Sequence, residues 1–450
     1  MKKVLLMAAL ALFAVSTSAQ DFDTNPLLKI NNADEQLKFT IGARFMADAA
    51  GYWNQFTPLH SGATIADARI RTSLAYGTHW YFYADFGFGN GKFAQKNIFL
   101  QYSWFNNSNG THAVKVGYYN DPAGSMARIT SLGSYRFISR PGSVQALGVG
   151  RELGATYKFY NDNWFAYQGV FTESVYNKIE AGYNGYSFSG RWLYRNQNDN
   201  IGGHIGVSAR FAHLGGGQTM TTKGSTVLKK TLTLSQTMET YVDPDESFVH
   251  AEIPWANNVI NINAEGLLYG KNFFVRAEYL YKIVTKNRDS YKIFIAQQDN
   301  IDGWGDINSW MTANPLRTNH FSGAYVEGGY KILGPDYSYN KGEAVLSGWT
   351  GRTLEVVGRV NYTNLNDITK GDYYSVGRDQ YYPSGYMEDW PYASSSVGGG
   401  RVISATFGIN FAFNKYAAVM LDYTYSNLKR DFLPYDKNFH ELQARVQFAF

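Results

Sequence analysis

The 450-residue sequence contains no cysteine. Neither a disulfide framework nor a lipid-modified N-terminal Cys is therefore available, and stability has to come from chain pairing and packing. After residue 19 no window approaches 18 uninterrupted apolar positions, which excludes helical membrane spans. Charge is also sparse, at 17% of residues, and the formal net charge of +4 includes Lys2 and Lys3. A balance this weak excludes nucleic acid and acidic polymers as partners. The eight histidines, His60, His79, His112, His204, His213, His250, His320 and His440, are scattered, with no Ser or carboxylate constellation beside them. Hydrolytic chemistry needs a nucleophile with a paired base or carboxylates beside a His, so no enzyme, catalytic residue, metal or cofactor is expected.

Tyr (35), Phe (29) and Gly (45) are abundant against 11 Pro, a composition that suits pleated surfaces and tight turns. The chain opens with Met1-Lys2-Lys3, an apolar stretch from Val4 to Val15 and small residues through Ala19, which reads as an export signal peptide over 1–19. A periplasmic segment over 20–36 would follow, then a membrane-embedded unit over 37–450.

That unit is legible from strict alternation. Leu37, Phe39, Ile41, Ala43, Phe45 and Ala47 alternate with Lys38, Thr40, Gly42, Arg44, Met46 and Asp48. Ala66, Ala68, Ile70, Leu74 and Tyr76 alternate with Asp67, Arg69, Arg71 and Ser73, and after a turn at Gly77-Thr78-His79 the pattern resumes from Trp80 to Phe88. Charges fall on one face and aromatic residues gather at the strand ends of the other, as in a wall between lipid and water. Segments of this kind recur at 37–49, 65–76, 80–88, 97–105, 112–119, 152–160, 164–172, 185–195, 201–212, 257–269, 273–284, 322–333, 352–364, 400–413, 416–427 and 438–450. The chain thus reads as all-β, a transmembrane antiparallel β-barrel of about sixteen strands in a bacterial outer membrane.

Connections alternate between short turns and long external loops, apart from 334–351, which is long where a short turn is due. A further strand-like stretch near Val227 to Thr237 is taken as a loop hairpin. The even count puts both termini on the periplasmic side. The last strand ends on Val446, Phe448 and Phe450, which resembles the signal read by the barrel assembly machinery.

About sixteen strands leave an aqueous lumen, whereas eight are filled by side chains. The roughly seventeen residues before the first strand cannot form a globular plug, so passive diffusion of small hydrophilic solutes is expected. The connection 120–151 is the candidate constriction loop. Between Asp121 and Glu152 its only charges are Arg128, Arg136, Arg140 and Arg151. Folded inward, each would favour an anion at about 7 Å by roughly 0.6 kcal/mol in bulk-like dielectric and roughly 2.4 kcal/mol at an effective value of 20. The inward face of the wall adds Arg44, Arg69, Arg71, Lys115, Lys158, Arg191, Arg195, Arg210, Arg276, Lys282, Lys331, Arg359 and Arg445. Against these stand Asp48, Asp67, Asp85, Glu278, Glu327, Glu355, Asp422 and Glu441, a modest positive excess. Rings of charge are a route to pore selectivity.

An alternative is a binding or adhesion barrel acting through its external loops. Asp299 to Asp306 carries closely spaced carboxylates without the closing Glu of a calcium loop, and Trp304, Trp310, Tyr381, Tyr382 and Trp390 could stack on sugars.

Several motifs resemble the phosphate-selective porin family, porins O and P. Gly117-Tyr118-Tyr119-Asn120-Asp121-Pro122 followed by Ile129-Thr130-Ser131 is similar to the family's strand-to-constriction segment, and Gly150-Arg151-Glu152-Leu153-Gly154 to the return strand. Tyr330 to Tyr339, Arg359-Val360-Asn361-Tyr362 with Leu365-Asn366-Asp367, and Gly399 to Asn410 resemble its late strands. The resemblance implies a sixteen-stranded barrel, commonly a homotrimer, with an inward loop and an anion-attracting lumen. Family members hold phosphate with constriction lysines, and this loop has no Lys between Asn120 and Glu152. Only the loop arginines carry over, as pore-lining candidates.

Overall fold

Alternation in the sequence becomes strand register in the computed structural model. It describes residues 28–32, 36–53, 59–89, 93–106, 110–172, 185–198, 200–215, 217–220, 226–229, 231–246, 248–253, 256–286, 316–368, 374–375, 396–430 and 437–450. The barrel strands are β1 (Leu37–Trp53), β2 (Gly62–Tyr76), β3 (Trp80–Gly87), β4 (Ala94–Asn106), β5 (Gly110–Asn120), β6 (Arg151–Tyr160), β7 (Trp164–Thr172) and β8 (Tyr186–Gln197). They continue as β9 (Ile201–His213), β10 (Ala256–Gly270), β11 (Phe273–Lys286), β12 (Asn319–Leu333), β13 (Thr353–Asp367), β14 (Ser396–Ala412), β15 (Ala417–Lys429) and β16 (Asn438–Ala449).

Each strand pairs antiparallel with its successor, and β16 returns onto β1 from Arg44↔Ala449 to Trp53↔His440. The sheet therefore closes and leaves no unpaired edge, as hydrocarbon demands of any spanning structure. Every expected segment overlaps one strand, and several strands run further, β1 to Trp53 and β14 from Ser396. The stretch near Val227 lies off the barrel, in small hairpins of the β9–β10 loop: Gly217–Met220 with Thr226–Lys229, and Leu232–Gln236 with Val249–Ile253.

Polarity is inverted relative to a soluble protein. Ile205 is 68% exposed and Phe188 55% on the outer face, while Arg191, Arg195, Arg276 and Arg445 are buried within the lumen. Bulges shift the register at several places, and the one in β2 changes which face its charged residues meet. Ile65 faces Ala47 and Asp67 faces Met46, so Ala66 is an extra residue. Ile65, 47% exposed, is consequently the outward side chain there, and the bulge lets Asp67, Arg69 and Arg71 share the inner face. Aromatic residues collar both ends. Trp53 stacks on His440 at 5.9 Å at the long-loop end, and Trp80 meets Tyr102 at 4.8 Å at the short-turn end.

Ahead of the barrel, Leu28–Asn31 pairs with Lys38 to Ile41 of β1, extending the seam below the point where β16 ends. Among the described residues three connections enter the lumen: 121–150 and part of 231–253 from the long-loop end, and 334–352 from the short-turn end. Their apolar residues, including Met126, Phe137, Val144, Leu234 and Tyr337, join inward wall residues such as Phe321 and Tyr325 in the largest core. The proposed leader, most of 20–36, the Asp299 to Asp306 stretch and Trp304, Trp310, Tyr381, Tyr382 and Trp390 lie outside the described residues.

Candidate pore constriction

The loop leaving β5 is pinned to the opposite wall by its own backbone. Glu278 of β11 accepts the Met126 amide at 2.7 Å and the Ser125 hydroxyl at 2.5 Å. It thereby satisfies the open N–H end of the short helix α1 (Met126–Ile129), which has no acidic residue in its own first turn. Ser125 adopts φ 92°, a region disfavoured for any residue with a Cβ, and the Glu278 contact holds it there. Further along, Tyr135 donates its hydroxyl to Glu327 at 2.8 Å, and the Ile138 amide donates to Asp422 at 2.7 Å. The second short helix, α2 (Gly142–Leu147), is fixed through Gly142 N–H to Glu239 at 2.9 Å and Ser143 N–H to Asn361 at 3.1 Å. Asn410, Asn261 and Asn263 cap the carbonyls of Arg136, Leu147 and Ala123.

The loop therefore leans on the wall from β10 to β15 and leaves space on the other side. A cavity of about 220 Å³ remains between it and the first strands. Arg44, Arg69 and Arg71 line it from β1 and β2, Arg151 from the start of β6, and Arg128 and Arg140 from the loop itself. Asp85 is the one carboxylate in that lining among the described residues. Behind it Asp67 takes Arg44 Nε at 2.6 Å and Arg69 Nε at 2.8 Å, and Asp85 takes Arg69 at 3.0 Å.

The guanidiniums of Arg128, Arg140 and Arg151 meet neutral acceptors. Arg128 donates to the Val144 carbonyl at 3.3 Å, and Arg140 to those of Ala127 at 2.9 Å and Thr130 at 3.0 Å. Arg151 donates to the Asn97 side chain at 2.8 Å, while Arg71 reaches the backbone oxygens of Ala43 and Phe450. Among the described residues none of Arg128, Arg140 and Arg151 has a carboxylate partner. Burial and the adjacent Arg140 push Arg128 down to about 10, so it stays charged at neutral pH in a neighbourhood of like charge.

The other anticipated residues go elsewhere. Arg136 is outside the cavity lining: it sits over the Trp349 ring at 4.5 Å, with Glu355 at 3.5 Å and the Ser347 carbonyl at 3.1 Å. Arg276 pairs with Glu327 and lies 4.7 Å from the Tyr135 ring, and Arg359 bonds Glu239 at 2.6 Å and the Ser139 carbonyl at 2.7 Å. Arg210 bridges Glu152 and Asp121 at the root of the loop. Lys115, Lys158 and Arg191 gather on β5, β6 and β8 against the 334–352 connection. Sequence reasoning missed two participants. Glu239 belongs to a second inward loop that carries no distinguishing pattern, and the inward course of 334–352 was signalled only by its unexpected length.

A closed sixteen-strand barrel with an inward loop beside an arginine-lined cavity is the architecture of an outer-membrane porin. A family model, phosphate-selective porin O and P, matches residues 39–450, and the chain belongs to that family. It is accordingly a channel of the bacterial outer membrane and not an enzyme. Among solved structures, a loop-deletion mutant of OmpT from Vibrio cholerae is similar at 10% identity and TM-score 0.50, over 92% of this chain and 100% of that one. An anion-selective porin from Comamonas acidovorans is similar at 9% identity and TM-score 0.49, again over 92% and 100%. The outer-membrane channel DcaP of Acinetobacter baumannii follows at 12% identity and TM-score 0.47, over 94% and 100%. No curated protein matches the chain.

Proposed function

We propose that this porin passes small hydrophilic solutes passively with a preference for anions, and that the arginine cavity is where the preference is set. The observation that carries this reading is the sorting of charge. Lumen carboxylates such as Glu278, Glu327 and Asp422 are engaged by the loop, while Arg128, Arg140 and Arg151 are bonded to neutral acceptors beside open space. A passing anion would relieve that local excess, at roughly 0.6–2.4 kcal/mol per guanidinium at about 7 Å. Planar guanidinium forks suit phosphate and carboxylate oxygens, so such solutes are the favoured class. Phosphate itself is a candidate through the family, though this loop offers arginine in place of lysine.

The same reading takes the functional unit as a homotrimer, with the assembly machinery recognising the strand that ends at Phe450, outer-membrane lipid on the apolar wall, and residues 1–19 removed on export. A planar bilayer under a salt gradient tests the selectivity. The expected reversal potential has the sign of anion preference, with conductance that saturates in phosphate. A potential of the opposite sign would overturn it.

A further inference from the structure

The connection between β12 and β13 forms a tongue that enters the barrel from the short-turn end. Two-residue strands, Tyr339–Asn340 and Val345–Leu346, pair to make it, and Asn340 caps its tip by accepting the amides of Gly342 at 3.0 Å and Glu343 at 3.2 Å. The wall beneath the tip is basic. Lys158 of β6 donates to the Glu343 carboxylate at 3.0 Å and to the Gly342 carbonyl at 2.8 Å. Arg191 of β8 donates to the carbonyls of Glu343 and Ala344, both at 2.9 Å, and Arg195 to that of Lys341 at 2.7 Å.

The charges under the tongue do not balance. Arg191 is neutralised by Glu265 through two hydrogen bonds, at 2.9 and 2.6 Å. Arg195 donates to the carbonyls of Asn161 at 3.0 Å and Lys341 at 2.7 Å, and Lys115 has no ion pair among the described residues. Its ammonium lies 4.5 Å from the Phe99 ring centre, 5.1 Å from Tyr119 and 5.5 Å from Tyr167. Among the described residues Lys115 and Lys158 thus share one carboxylate, that of Glu343. Buried cations require counter-charge or a strong network to be tolerated, and here one carboxylate serves two ammonium groups. Glu343 itself is the accessible member: its side chain is 40% exposed, against 7% for Lys158.

We propose that the wall of β5, β6 and β8 holds a second anion site, separate from the arginine cavity, in which Glu343 is a tethered resident carboxylate that a small free carboxylate can replace. The tongue supplies carbonyls that orient the cations, and the side chain at its tip does what a bound carboxylate would do. A solute reaching this side of the lumen competes with Glu343 for Lys158 and Lys115, which makes the site a second station for acidic solutes. That role rests on the channel reading, whereas the site itself does not.

The test is chemical rescue on the full-length barrel in detergent, with folding checked by heat-modifiable migration on a gel. Glu343→Ala should bind acetate, followed by titration of the carbon-13 acetate signal, at least about tenfold more tightly than the wild type, and Glu343→Ala with Lys158→Gln should lose that gain. Equal acetate binding by wild type and Glu343→Ala, or a gain that survives Lys158→Gln, overturns the proposal. Should Glu343→Ala not fold, the isosteric Glu343→Gln should shift the bilayer reversal potential further toward anions, and an unchanged potential overturns it. Normal anion-selective conductance without acetate rescue would sink this site alone. Acetate rescue in a barrel that does not conduct would sink the channel role and leave the site.

Discussion

The two sides of this barrel start from the same pattern and end differently. On β1 and β2 the inward arginines Arg44, Arg69 and Arg71 face a cavity, with Asp67 and Asp85 threaded between them. On β11, β12 and β13 the inward Arg276 and Arg359 are stacked against the loop aromatics Tyr135 and Phe137 and locked to Glu327 and Glu239. Alternation places a charge in the lumen, but the loop decides what the charge does. Where the loop lies against the wall, carboxylates serve as acceptors for backbone amides and the arginines brace them. Where it stands away, arginine lines open space. A count of lumen charges overstates the selectivity machinery, because much of it is scaffolding.

The largest expected effect comes from breaking the filled side. Glu278→Ala removes an acceptor used by the Ser125 hydroxyl, the Met126 amide and the Tyr325 hydroxyl. At about 1.5–3 kcal/mol for each hydrogen bond to a charged group, the loop should come off the wall. Single-channel recording should then show larger, noisier conductance and weaker selectivity, and a quiet wild-type level would show that Glu278 does not hold the loop. Next in size is Glu327→Gln, which keeps shape but leaves Arg276 without its carboxylate. Breaking one buried pair costs about 3–5 kcal/mol, so the denaturant midpoint should fall while the sign of the reversal potential stays. A reversal of sign there would mean that the filled side also selects.

The barrel was legible in the sequence because period two is imposed on every strand by the same two solvents, lipid and water. Register survived even where parity slipped, since the bulge at Ala66 costs one residue and the apolar face resumes at Ala68. The positions of the loop arginines could be read, but their partners could not. Nothing local distinguishes Arg136, buried on Trp349 and Glu355, from Arg128, at the cavity edge, because each contact comes from a strand or loop distant in sequence. Glu239 and Glu343 were invisible for the same reason. Each lies in a connection whose inward fold depends on acceptors and donors that the closed barrel alone brings together.

A smaller effect is expected from the open side. Arg128→Ala, Arg140→Ala and Arg151→Ala together should move the reversal potential toward cations, each contributing roughly 0.6–2.4 kcal/mol. Arg136→Ala should leave the potential alone and loosen the junction between loop and tongue at Ser347. Equal shifts from the triple variant and from Arg136→Ala would erase the distinction between the two sides.

The smallest effect concerns acid. Burial would raise the Glu343 carboxyl, but Lys158 and Lys115 hold it down to about 2. A released tongue would carry an ordinary glutamate, near 4.3. Because the folded value is the lower one, the Glu343 latch is fully in place above about pH 4.3 and is lost as the pH falls through about 2. Its side chain is 40% exposed, so water screens the pair and the gain is modest. The conductance difference between the wild type and Glu343→Gln should therefore hold from pH 8 to 5 and vanish only in strong acid. A difference that already vanishes between pH 5 and 7 would leave the tongue without the acid-sensitive latch assigned to Glu343.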